Sequence, residues 1–225
     1  MFRKTVFSVM LLVCVLLSGC SPSRETAPPE TAPRQTLPET ESTRIIRPRP
    51  DSTMECLADS VSAVSFGEGD LDRSDSGELL LRIQVYSYDK FDPADISLLQ
   101  EGDILLTSDG EIAILSVTVN ELGTVFINGG LDEGGLELAA DGNGTYCALG
   151  YSDMKSWYPA GEAVCTVSDS FVFTDRSDLD KEPAVFGIDD FLNGNPEIDY
   201  RYQPQSTTVR IENGQVMAME RIYTP

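Results

Sequence analysis

No histidine occurs among the 225 residues. The chain therefore lacks the imidazole base of Ser-His-Asp and Cys-His catalysis and the commonest nitrogen ligand for metals. Carboxylates are plentiful, with 37 Asp and Glu against 16 Lys and Arg. A hydrolase working through two acids about 5–10 Å apart is the enzymatic alternative, but no spacing singles out a pair. Lys90, Lys155 and Lys181 are assigned to no Ser-Lys dyad. The reading is a non-catalytic protein with a binding or structural role.

The densest acids lie in GEGDLDRSDSGE, residues 67–78. Asp72, Ser74, Ser76 and Gly77 match the first, third, fifth and sixth places of a calcium loop, but its last place is Ile83 instead of Glu. Asp70, Asp72 and Asp75 are candidate ligands of a weak calcium module, and a solvated turn is the plainer reading. No other cofactor is implied. Tyr151, Trp157 and Tyr158 are candidate contacts for a ligand, on a loop where aromatic rings can stack on sugars or grip a peptide. Cys147 and Cys165 fall in predicted strands and are candidates for a disulfide. The alternative is that they and Cys56 stay reduced as small apolar residues. Without a CxxC pair, a structural zinc site has no support.

These groups must be positioned by strands. Leu81, Ile83 and Val85 alternate with Arg82, Gln84 and Tyr86. Ala113, Leu115, Val117 and Val119 alternate with Ile114, Ser116 and Thr118. Each pattern predicts one face more buried than the other. Asp109-Gly110 separates Ile104–Ser108 from Glu111–Val119, and Asn213-Gly214 separates Thr208–Glu212 from Gln215–Ile222. Both dipeptides suit a type I′ hairpin turn. The second hairpin then sets Ile211 opposite Val216 and Val209 opposite Ala218. Further strands are predicted over 61–66, 123–128, 136–139, 144–149, 162–167, 170–174 and 198–202. Asp92-Pro93 can open a helical turn through Leu99, and a second short helix is predicted over 188–193. The fold class is mainly β: an antiparallel barrel or sandwich with one or two short helices, preceded by a disordered tether. Residues 101–105 with the Asp-Gly hairpin resemble a stretch of small SH3-like barrels. A division near residue 140 into two β subdomains is the alternative to one domain.

Charge is unevenly spread. Residues 51–225 hold 33 acids and 9 bases, a net of −24, within a chain total of −21. That balance excludes a phosphate-backbone binder, so no nucleic-acid partner is expected. Residues 21–50 hold seven of the 13 prolines and repeat Glu-Thr-Ala-Pro at 25–28 and 30–33. Such a segment is extended and builds no core. Ahead of it, Arg3 and Lys4 precede the apolar run 6–17. That run is shorter than the ~20 residues a spanning helix needs and reads as a signal-peptide core.

Leu17-Ser18-Gly19-Cys20 completes this pattern and resembles the lipobox of bacterial lipoproteins. The resemblance implies that residues 1–19 are removed and that Cys20 carries acyl chains such as palmitate. Residues 20–50 would then tether an acidic domain, residues 51–225, outside the cytoplasm. The implied location is a Gram-positive cell surface or a Gram-negative outer membrane. The partners would be the membrane, through the lipid on Cys20, and an unknown protein, glycan or small-molecule ligand.

Overall fold

A computed structural model describes residues 43–199 and 201–225. The signal segment, Cys20 and the tether up to residue 42 lie outside the described residues. Within the segment expected as tether, residues 45 and 46 join the fold. Ile45–Ile46 form β1, which pairs parallel with Ile104 and Leu105, and Ile46 is buried. Burying the Ile46 side chain favours this docking, while Ile45 on the opposite face stays exposed.

Three strands follow: Ser60–Ser65 (β2), Leu71–Arg73 (β3) and Leu79–Ser87 (β4). Next come Lys90–Phe91 (β5), the helical turn Pro93–Ile96 (α1), Ile104–Thr107 (β6), Gly110–Ala113 (β7) and Val117–Val119 (β8). Val125–Ile127 (β9), Leu136–Ala140 (β10) and Tyr146–Ala148 (β11) lead to the 19-residue strand Tyr158–Arg176 (β12). Ala184–Gly187 (β13), the helix Ile188–Leu192 (α2), Thr207–Glu212 (β14) and Gln215–Ile222 (β15) complete the chain.

β12 organises the larger sheet, because its two halves pair with different neighbours. Residues 158–166 run antiparallel to β4, and residues 166–176 run parallel to β15. With β15–β14, β14–β2 and β2–β4 pairings, the strands close a five-membered ring. A strand this long follows such a ring only by bending, and its register shifts twice, between 159 and 161 and between 167 and 172. Leu81, Ile83 and Val85 point inward and are at most 1% exposed, as their alternation predicts. They meet Phe173, Val209, Ile211, Val216 and Met219. Each such side chain contributes about 1.5–3 kcal/mol by leaving water. α2 lies across this core through Phe191.

Between β4 and β12 the chain builds a second core. β5-β11-β10-β9-β8 form one sheet and β1-β6-β7 another. Phe91, Ile96, Leu105, Ile114, Ile127 and Leu138 are buried between them. α1 begins as predicted: Asp92 accepts a hydrogen bond from the Ala94 amide, and Pro93 holds the first helical position. The expected cut near residue 140 is therefore replaced by an insertion. Residues 88–157 leave and return at the paired residues Ser87 and Tyr158, and β1 joins the inserted core.

Other expectations are corrected in detail. The first hairpin turns at Ser108-Asp109, with Gly110 already paired to Thr107. The strand expected over 111–119 breaks at 114–116, and its halves join different sheets. Its faces are only partly as expected: Val117 packs on the core, but Ile114 is buried while Leu115 and Val119 are exposed. Ile114 follows Ile112 on the core-facing side, and the break shifts the phase so that Val117 also packs on that core. The strands expected over 162–167 and 170–174 are one strand, β12. Among the described residues of the strand expected over 198–202, Tyr202 forms an isolated bridge to Phe66 and no strand is present. Two strand pairings are parallel, so the sheets are mixed instead of purely antiparallel. In the last hairpin Asn213 and Gly214 both have positive φ, as a type I′ turn requires. Ile211 faces Val216 there, but a bulge shifts Val209 onto Met219.

Candidate functional site

The neck where the insertion joins the barrel concentrates the unusual side chains. Ser87 opposite Tyr158 is the last pair of the larger sheet. The next residue out on one side is Tyr88, and on the other Trp157. Pairing thus brings together rings 69 positions apart, in a T-shaped contact with centroids 5.1 Å apart. Two residues beyond each ring stands a lysine. The Lys155 ammonium lies 4.1 Å from the Tyr88 ring centroid and 5.9 Å from that of Trp157. The Lys90 ammonium lies 4.8 Å from the Tyr88 centroid. Two of the three lysines in residues 51–225 therefore converge on one ring. Among the described residues neither has a carboxylate within 4.0 Å.

Asp141 holds the ring in place. Its Oδ2 accepts the Tyr88 hydroxyl at 3.0 Å and the Thr145 hydroxyl at 2.6 Å. Its Oδ1 accepts the Asn143 and Thr145 amides at 2.7 and 3.2 Å. Burial would raise this carboxyl's pKa, but the four donors outweigh it and bring it down to about 2. A phenol that donates to a carboxylate has a more electron-rich ring, which strengthens its attraction for the two ammonium groups.

The cluster borders a groove of about 420 Å³ on the outer face of the five-stranded sheet. Register explains its floor. Phe126 pairs with Glu137, Ala139 with Cys147, and Cys147 with Lys90, so these side chains share the face opposite buried Ile127 and Leu138. Asp141, Asp153 and Lys155 line the same groove. It thus offers an apolar floor with fixed charges of both signs.

The neck also carries a hydrogen-bonded set on its barrel side. Thr53 Oγ1 donates to Ser87 Oγ at 3.0 Å, and Ser87 Oγ donates to Asp51 at 3.1 Å. Burial pushes the Tyr158 phenol pKa up; hydrogen bonding with Ser87 opposes this, and the Asp51 and Asp89 carboxylates add to it.

The aromatic candidates separate. Trp157 belongs to the cluster. Tyr158 turns to the Asp51–Ser87 set, and Tyr151 stands 91% exposed in a turn where Ser152 and Asp153 have positive φ. Asp70, Asp72 and Asp75 do not converge. Asp70 accepts the Gly67 amide, Asp72 accepts the Arg73 amide, and Asp75 is exposed. Among the described residues no three Cys, Asp or Glu side chains gather as for a metal. The disulfide is corrected: Cys147 and Cys165 are separate buried thiols in different sheets, and Cys56 is an exposed thiol. Burial raises both buried thiols' pKa; at Cys147 nearby Lys155 opposes the rise and Asp141 adds to it.

The sequence reading missed Tyr88, Lys90, Asp141 and Lys155. A signal was present: Tyr88-x-Lys90 and Lys155-x-Trp157 each place a ring and a lysine two apart, on one face of an extended segment. Lys90 and Lys155 also each follow a serine by three residues, Ser87 and Ser152, so Ser-x-x-Lys spacing does occur. It forms no dyad, because the buried Ser87 hydroxyl engages Thr53 and Asp51.

Fold and site together define a class, a mixed-sheet β barrel carrying a β-rich insertion with an aromatic–lysine cluster at its neck. No protein-family model, curated protein or solved structure matches the chain.

Proposed function

We propose that the chain is a lipid-anchored extracytoplasmic protein whose acidic domain binds an anionic component of the cell envelope at the neck. The lipobox-like Leu17-Ser18-Gly19-Cys20 supports the anchor. The observation that carries the binding reading is the pair Lys90 and Lys155. In a domain with 33 acids, two ammonium groups within 5 Å of one ring centroid have no carboxylate partner among the described residues. Fields between exposed charges fade over about 8 Å at physiological ionic strength. Distant acids of the domain are therefore screened, and an anion in contact with the neck meets Lys90 and Lys155 beside the nearby carboxylates Asp141 and Asp153. Asp141, with a pKa of about 2, stays ionised and accepts four hydrogen bonds, so its role is to hold the Tyr88 ring and not to donate a proton.

Trp157 is the only tryptophan, so its emission reports on the site. Titrating the full chain with a uronate oligosaccharide should change that emission, and a neutral oligosaccharide of equal length should not. Lys155→Gln should weaken the response about tenfold. An unchanged emission, or a response indifferent to Lys155→Gln, would remove the binding reading. Cys20→Ser should release the protein from membranes and leave its precursor uncleaved. Unaltered retention and processing would remove the anchor.

A further inference from the structure

We propose a second ligand site, independent of the neck, at the mouth of the barrel beside α2, which takes a small organic cation with an apolar body. The cavity measures about 480 Å³ and lies between β3 and α2. It exists because β3 pairs with the start of β4, through Leu71–Leu81 and Arg73–Leu79, while α2 packs on the barrel core through Phe191, whose ring also lines the cavity. The space between is left open. Its size falls in the range of small-molecule sites, and barrel mouths are common places for them.

The walls are Phe66, Leu71, Leu79 and Leu192. Phe66 is half-buried: its ring stacks on Tyr202 at 4.1 Å and also lines the cavity. A ring presented this way attracts a cation or a second ring. The rim carries the acids of the 67–78 run, Glu68 and Asp72. Neither forms an ion pair with Lys or Arg among the described residues. The rim's one base, Arg73, is turned to the Gly77 carbonyl at 3.0 Å. Two carboxylates over apolar walls, on a domain of net charge −24, match a positive head on an apolar body.

The test uses the full chain in neutral-detergent micelles with benzyltrimethylammonium as probe and phenylacetate as its anionic counterpart, followed by the NMR ring signals of Phe66 and Phe191. The cation should give saturable shifts in both rings, and phenylacetate none. The double variant Glu68→Gln, Asp72→Asn alters two exposed side chains and should fold normally, with cation affinity at least fivefold weaker. Three results would overturn the site: no saturable shift up to low millimolar cation, equal binding of phenylacetate, or undiminished affinity in the double variant. Micelle partitioning is common to wild type and variant and cancels from the comparison.

Discussion

Replacing Asp141 by Asn probes the link between the insertion's turn and the Tyr88 ring. The carboxylate accepts four hydrogen bonds, two on each oxygen. Asn keeps an acceptor for the Asn143 and Thr145 amides but presents an NH₂ to the Tyr88 and Thr145 hydroxyls. The drop from 3.8 to about 2 in the folded state corresponds to about 2 kcal/mol at full strength. Solvent screening at this partly exposed position reduces it to about 1 kcal/mol. Because the folded pKa lies below the unfolded one, this contribution is fully present above about pH 5. It is lost as pH falls through 3.8 towards 2, and roughly half is gone near pH 3. Asp141→Asn should therefore cost about 1 kcal/mol at pH 7, or about 2–4 °C in Tm for a chain of this size, with a smaller gap at pH 3. Urea unfolding followed by Trp157 emission and by circular dichroism at both pH values measures this. A gap that is absent at pH 7, or equal at the two pH values, would refute the assignment of Asp141 as the carboxylate that fixes the site.

Gly135→Ala should destabilise by several kcal/mol or prevent folding, since a Cβ there would sit 2.0 Å from the Ile127 carbonyl oxygen. Gly134→Ala, with open space but φ of +79°, should cost only about 1 kcal/mol; thermal melts of the two compare them directly. Arg221→Ala should cost about 3–5 kcal/mol, because it strands the Asp175 carboxylate that the buried guanidinium engages. Denaturant unfolding at pH 7 measures this. Among Cys56, Cys147 and Cys165, a thiol reagent should modify Cys56 in the folded protein at neutral pH and the other two only on unfolding, as peptide mapping will show.

Local chemistry was legible where neighbours in sequence settle it. Asp92 caps α1 because its side chain reaches the Ala94 amide two residues on. Asn213-Gly214 turns because both positions tolerate positive φ. Alternation in β4 named its buried residues because both ends of that strand lie in one sheet. Alternation failed over 111–119 because the run is shared between two sheets. There Ile112 and Ile114 face the core before the break and Val117 after it, a change of phase that no local rule marks. Cys147 and Cys165 were close in number yet lie in different sheets for the same reason: an insertion boundary lies between them.

The candidate site shows the division most clearly. Sequence by itself determined the β-rich class, the absence of imidazole chemistry, and the acidity of the domain. These follow from composition and short-range pattern, which survive any packing. Only tertiary structure decided that Tyr88 meets Trp157, that two lysines share one ring, and that Asp141 anchors it. Strand pairing is long-range: the register of Ser87 against Tyr158 is set by burial along the whole of β4 and β12. That register places the residues on either side of the neck within reach of one another.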